Sequence, residues 1–388
     1  MYAAFTEYLG FKAYDGEYKV MGLAAYGEPD KDLRAKMDRI VFPAPDGIEY
    51  RVDPTYIHYG PRSYSERFTD KLVELFDRKP RLSEEEITQW HENLAYAVQK
   101  KLEESVERLI RWAIRETGIR KVCISGGVGL NVKMNSSLFL LPEVDDVFAH
   151  PLCSDGGAAV GAALAACFER SGARPERLET LALGLEESNK TIERALKVAR
   201  LEYEKPDDIC EAVADQLAKG RIVGWFQGRM EAGPRALGQR SILADPRNVE
   251  NRDKVNAIIK FREYWRPFCP SMTAEAASKY FGRYTNAPFM IIAFSANERL
   301  KQDAPAIVHV DGTSRVQMVH RDTLPRFHQL LKAFEKRSGV PVLLNTSFNV
   351  KGEPIVCTIQ DALRTFWSTG LEILAAGDFL IRKPEVKN

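Results

Sequence analysis

Two strand–loop–helix units follow each other directly in the middle of the chain, and they restrict the fold more than any other feature. KVCISGG at 121–127 reads as a buried strand with β-branched residues running into a glycine turn, and NVKMNSSLF at 131–139 as the helix that follows. DDVFAHP at 145–151, CSDGG at 153–157 and AAVGAALAACFER at 158–170 repeat that order. Tandem units of this kind predict an α/β layer whose loops lie at the carboxyl ends of strands, where ligands usually bind. Ahead of them, the segment 83–118 is predicted as one long amphipathic helix. Ser83 and Glu86 are spaced as a capping box, Gly118 is placed to stop the helix, and Ile87, Trp90, Leu94, Val98, Leu102, Val106, Ile110 and Ile114 recur at helical spacing.

Between 171 and 205 Gly, Pro and Glu interrupt the pattern and no strong strand is visible, so a domain boundary is expected there, giving domains 1–185 and 186–388. Beyond it helices are predicted at 207–220, 251–261, 322–336 and 358–370. Strands are predicted at 221–227, 288–294, 306–310, 315–319, 340–346 and 372–381. Short strands and helices without strict alternation suggest an α+β or twisted α/β second domain.

The 388 residues carry a formal charge of +1, and 45% are hydrophobic, an ordinary globular composition. The first twenty residues lack a basic segment followed by an apolar core, which argues against a secretory signal. Six cysteines without a C-x-x-C pair suggest neither a disulfide framework nor a structural zinc site, so reducing cytosol is the expected location.

The even total conceals local asymmetry. Residues 221–266 hold eight arginines and two lysines against five acids, a local charge of +5. The arginines lie in GRMEAGPRALGQRSILADPRN, which is loop-like, and in KFREYWRPFCPS, which alternates cations with aromatics. Arginines on constrained loops suit bidentate recognition of phosphate and carboxylate oxygens. A solvated charged face, or a single-stranded RNA surface, would use the same residues. The loop SGGVGLN at 125–131 lets backbone approach an anion, although a tight strand–helix turn needs the same glycines. Asp155 opens the next helix and is read either as a cap or as a metal ligand, with His150 and Cys153 nearby. NTSFN at 345–349 projects small polar groups from a strand end, which a plain polar turn would also do.

Together these segments resemble the NodU/CmcH carbamoyltransferase family. The resembling stretches are GEYKVMGLAAYGEP, ISGGVGLNVKMNSSL, HPLCSDGGAAVGAAL, GRMEAGPRALGQRSILADPRN, KFREYWRPFCPS, HVDGTSRVQMV and NTSFNVKGEPIVCTIQDAL, in the family's order. The resemblance implies an actin-like α/β domain followed by a YrdC-like domain. The latter would convert carbamoyl phosphate and ATP into carbamoyladenylate. The former would transfer the carbamoyl group to a hydroxyl of an antibiotic, sugar or nodulation-factor type acceptor. It further implies Arg235, Arg240, Lys260, Arg262 and Arg266 as the catalytic anion-binding set, with Arg247, Asn345, Ser347 and Asn349 as substrate-binding residues. Glu17, Lys19, Gly126, Gly127 and Asn131 would form the nucleotide site of the actin-like domain, and Asp155 would be a metal ligand. ATP and Mg2+ are the implied cofactors, with Fe2+ where histidine ligands are supplied. No membrane or nucleic acid is expected.

The family carries an H-H-x-x-H-A segment near its start, and none of the six histidines here matches it. The resemblance therefore implies a complete YrdC-like domain behind an incomplete actin-like one. Such a chain is expected to act as the transferase itself, as a homodimer, or as a truncated or split subunit needing a separate N-terminal partner chain.

Overall fold

The computed structural model describes residues 1–58, 66–174, 176, 178–260, 263 and 265–384. They form a mixed α/β protein that separates into two compact units, Met1–His150 and Pro151–Asn388. The contacts thus divide the chain ahead of the composition change at 171–205.

The first unit comprises α1 (Tyr2–Tyr8), α2 (Glu17–Leu23), α3 (Lys31–Ile40), β1 (Val41–Pro43), β2 (Tyr50–Val52), α4 (Asp70–Phe76), α5 (Gln89–Thr117), β3 (Lys121–Ile124), α6 (Val132–Leu140) and β4 (Asp146–Ala149). Phe5, Tyr8, Phe76 and Trp90 meet edge to face or tilted, with Phe5 and Phe76 centroids 5.8 Å apart. The long helix starts later than the Ser83/Glu86 spacing predicts. Thr88 is its N-cap, and His91 Nδ1 accepts the Thr88 backbone N–H at 3.0 Å, so an imidazole supplies the return bond of the capping box. Gly118, at φ 70°, ends it as predicted. Leu94 and Val98 are buried, whereas Leu109 near the far end is exposed. β3 and β4 pair in parallel, as the tandem units require.

The second unit contains α7 (Asp155–Ser171), β5 (Ala182–Glu186), α8 (Asn189–Val198), α9 (Ile209–Ala218), β6 (Val223–Phe226), β7 (Arg229–Glu231), β8 (Arg240–Ala244), α10 (Val249–Val255), β9 (Cys269–Thr273), α11 (Ala277–Tyr280), β10 (Phe294–Ser295), α12 (Glu298–Asp303), β11 (Thr313–Ser314), β12 (Gln317–Val319), α13 (Pro325–Ser338), β13 (Val342–Ser347), α14 (Ile359–Ser368), β14 (Ile373–Ala376) and β15 (Phe379–Arg382). Seven strands form one sheet in the order β12-β9-β13-β8-β6-β14-β15. The edge pair β12/β9 and the inner pair β6/β14 are parallel, and the remaining pairs are antiparallel. Val223, Trp225, Leu243, Leu343, Ile373 and Ala375 meet Val213 and Leu217 of α9 and Phe327, Leu330 and Phe334 of α13 in a continuous core. Burial of such apolar side chains contributes about 1.5–3 kcal/mol each.

Several sequence expectations change. The region 171–205 holds β5 and α8, short elements whose residues are mostly exposed, although α8 buries Ile192 and Leu196 one turn apart. PFMIIAF is buried, but Met290 at φ 56° breaks it, and only Phe294 joins a strand. Pro305 starts a 3-10 turn where AIVHV suggests a strand. The predicted strand 372–381 is a hairpin, β14 and β15, turning at Gly377 with φ 56°. The helix over 251–261 ends in a π-helical turn, Asn256–Lys260. Among the described residues no helix is long and apolar enough to cross a membrane.

The His91 cap predicts a pH effect. Burial, followed by the charges of Arg81 and Arg78, brings the imidazole down from 6.5 to about 4. A depressed base contributes stability that is complete above its unfolded value and is lost as pH falls through the folded one. Stability measured by urea denaturation should therefore fall between about pH 6.5 and 4, and His91→Gln should flatten that dependence. An unchanged slope in the variant would contradict the assignment.

Candidate functional site

The loop 232–239 carries Arg235 between β7 and β8, and side chains from four sheet strands tie it down. Asn345 Nδ2 lies 3.4 Å from Ala236 O and donates to Ser271 Oγ at 2.8 Å. Ser271 donates in turn to Gln317 Oε1 at 2.6 Å, and Gln317 Nε2 donates to Leu237 O at 2.8 Å. Trp225 Nε1 donates to Gly238 O at 2.9 Å, while the Gly238 N–H donates to Ser241 Oγ at 3.1 Å. Hydrogen bonds buried in this way are stronger than their exposed equivalents and fix one backbone path. Gly238 is obligatory: its φ is 96°, and a Cβ there would sit 2.2 Å from the Phe327 ring. Ser271, Gln317 and Trp225 are unexceptional in the sequence, and only the pairing of their strands brings them to the loop.

Two residues along β13 from Asn345, Ser347 meets Lys260. Lys260 as a whole is 5% exposed. It donates to Ser347 O at 2.6 Å and Oγ at 3.1 Å, and to Asn349 O at 3.0 Å and Oδ1 at 2.7 Å. These four oxygens hold the ammonium in one place. Lys260 closes the π-helical turn, an irregularity often found at functional sites. The structure thus brings Lys260, Ser347 and Asn349 together, with Asn345 linking them to the Arg235 loop.

The other expected residues are placed differently. Arg240 is fully buried, 3.7 Å over the Phe226 ring. Its Nη1 donates to Gln227 O and Gln239 O, and its Nη2 to Leu185 O and Gly228 O. This guanidinium organises backbone carbonyls. Arg247 forms a two-pronged pair with Asp245 beyond the opposite end of β8 from Ser241, the residue that faces Ser347. Arg266 lies 3.6 Å from Glu263. Arg262 lies outside the described residues. Arg221 pairs with Glu372, outside the stretch, and Arg252 with Asp253, already counted within it, so only the first of these two pairs reduces the local +5.

In the first unit, Gly126 at φ 84° opens into free space, and Gly127 begins a 3-10 turn leading to Asn131. Asn131 caps α6 through the Met134 N–H at 2.9 Å and exchanges two amide hydrogen bonds with Gln99. The Tyr2 hydroxyl also donates to Gln99, at 2.8 Å, and burial pushes its pKa up. Gln99 and Tyr2 were not expected as part of this cluster. Glu17 opens α2 and accepts the Tyr14 N–H, and Lys19 lies 5.5 Å from the Phe11 ring centroid. Asp155 is exposed at the start of α7. Among the described residues no three His, Cys, Asp or Glu side chains converge to hold a metal ion.

These features define a mixed α/β protein whose second unit presents a rigid, cation-bearing loop beside a polar strand end. Comparison with known proteins gives the class a family. A model of the carbamoyltransferase C-terminus matches residues 214–383, and one of the carbamoyltransferase N-terminus matches 1–164. Nodulation protein NolO of Bradyrhizobium diazoefficiens is 39% identical over 391 residues, covering 98% of this chain and 68% of the relative. Nodulation protein NolNO of Sinorhizobium fredii is 38% identical over 392 residues, covering 99% and 55%. The 3'-hydroxymethylcephem-O-carbamoyltransferase of Amycolatopsis lactamdurans is 32% identical over 375 residues, covering 95% and 65%. Among solved structures, full-length HypF in its phosphate- and nucleotide-bound form is 17% identical, with a TM-score of 0.31, covering 48% of this chain and 23% of that one. The chain belongs to the carbamoyltransferase family, and it spans from 55% to 68% of the length of these three relatives.

Gly238→Ala should destabilise the second unit by about 2–3 kcal/mol, because overpacking against Phe327 adds to the left-handed backbone strain. Urea denaturation checks this, and a change below about 0.5 kcal/mol would contradict the geometry.

Proposed function

We propose that this chain takes part in O-carbamoyl transfer and that its second unit, YrdC-like in kind, activates the carbamoyl donor. Carbamoyl phosphate would be hydrolysed to carbamate and phosphate. The carbamate oxygen would then attack the α-phosphorus of ATP, releasing pyrophosphate and forming carbamoyladenylate. An acceptor hydroxyl would finally attack the carbamoyl carbon, with AMP as leaving group. The convergence of Lys260, Ser347 and Asn349 carries this reading, since a fixed buried ammonium beside small polar groups suits anionic, phosphate-bearing substrates. Arg235, on the loop tied to Asn345, is the second cation of the site. Carbamate decomposes in water, so its formation and use call for a site that excludes solvent.

Arg240 takes a different role from the other cations here. Its Nη1 and Nη2 donors are engaged by backbone carbonyls, so it is assigned to the scaffold. Lys260→Ala and Arg235→Ala should each lower carbamoyl-phosphate-dependent release of phosphate and pyrophosphate by at least about tenfold, with the fold retained. Unchanged rates in both variants would overturn the donor-site assignment.

A second reading, that the strand–loop–helix elements β3, β4 and α7 are covered by another chain or segment, has its own support. α7 is rich in Ala and Gly and has no buried residue, although helices that are apolar on all sides are normally enclosed. Parallel strand pairs are likewise normally covered on both faces, yet Cys123 and Phe148 on β3 and β4 are exposed. Under this reading the isolated chain should associate with rising concentration and bind an apolar dye. A monodisperse monomer that binds no dye would count against it. ATP, with Mg2+ as its counterion, is proposed as a substrate complex rather than as a resident cofactor.

A further inference from the structure

Glu231 ends β7, immediately before the loop 232–239, and its carboxyl group is enclosed at 2% exposure. Oε1 accepts the backbone N–H groups of Leu237 at 2.6 Å, Gln239 at 3.3 Å and Arg240 at 3.2 Å. One oxygen thus joins the residue where the loop departs to three amides where it returns. Glu231 also lines a small enclosed space with Thr180, Leu181, Leu237 and Gln317, and its Oε2 makes no hydrogen bond within the protein. Burial pushes the carboxyl up from the ordinary carboxylate range, while the amide donors and the Arg240 charge act in the opposite sense. Enclosing a carboxyl group this completely is costly unless the contacts it makes are needed.

We propose that Glu231 is a positioning residue of the donor site: its carboxyl group clamps the loop 232–239 so that Arg235 is held in place before an anion arrives. This rests on the reading of the second unit as the donor site. The clamp lowers the ordering cost of binding, because the backbone that carries the guanidinium is already fixed. Without it, the amides of Leu237, Gln239 and Arg240 would have to find other acceptors, and the loop would sample other paths.

The test uses the whole chain as parent, Glu231→Ala, Glu231→Gln, and Phe334→Ala as a control that loosens the core under α13. Two quantities are read: amide hydrogen exchange at Leu237, Gln239 and Arg240, and affinity for inorganic pyrophosphate by calorimetry. Glu231→Ala should speed exchange at those amides and weaken pyrophosphate binding, each by about tenfold or more. Glu231→Gln retains an acceptor oxygen and should recover most of both. Phe334→Ala should lower the melting temperature without weakening pyrophosphate binding. If Glu231→Ala does not fold, Glu231→Asp withdraws the oxygen by one methylene and is read in the same way. Unchanged exchange or affinity in a folded Glu231→Ala would overturn the proposal, as would an equal loss of affinity in Phe334→Ala. A parent chain that binds no pyrophosphate would instead overturn the donor-site reading, and the exchange measurement would still show whether Glu231 fixes the loop.

Discussion

The second unit depends on keeping one loop still. The segment 232–239 has to carry Arg235 without regular secondary structure, so its backbone groups need partners from elsewhere. Glu231 accepts three of its N–H groups or those next to it, Gln317 and Trp225 donate to its carbonyls, and Ser241 accepts from Gly238. These partners sit on β7, β12, β6 and β8, so the order of the sheet strands sets the path of the loop. Changing the pairing of any of these strands would move the donors and acceptors together.

The same dependence explains what was legible in the sequence. The tandem strand–loop–helix units were readable because β-branched runs, glycines and small-residue helices are local signals, and the parallel pairing of β3 with β4 follows them. Gly118 as a helix stop and the helices over α9, α13 and α14 were readable for the same reason. The start of α5 was misplaced because Ser83 and Glu86 have capping-box spacing, while Thr88 and His91 make the actual box. PFMIIAF has strand composition, and nothing local announces the left-handed turn at Met290.

Arginine count was a coarser guide to the site. It pointed to the stretch 221–266 but could not separate an arginine carried on a loop, such as Arg235, from one that holds carbonyls, as Arg240 does, or one paired across a turn, as Arg247 is with Asp245. Ser271, Gln317 and Gln99 were missed because a lone polar residue in an apolar stretch acquires meaning only when strand or helix packing gives it a partner. The cations of the 221–266 stretch are therefore individually assigned, with Lys260 held at the polar end of β13 and Arg235 carried on the loop whose Ala236 carbonyl meets Asn345.

The central claim is that the second unit activates a carbamoyl donor with ATP. Isotope exchange between labelled pyrophosphate and ATP tests it most directly, because exchange requires reversible formation of an adenylate and no acceptor hydroxyl. The account predicts exchange that depends on carbamoyl phosphate and is abolished in Lys260→Ala. Exchange absent from the folded parent chain, or proceeding equally well without carbamoyl phosphate, would contradict it.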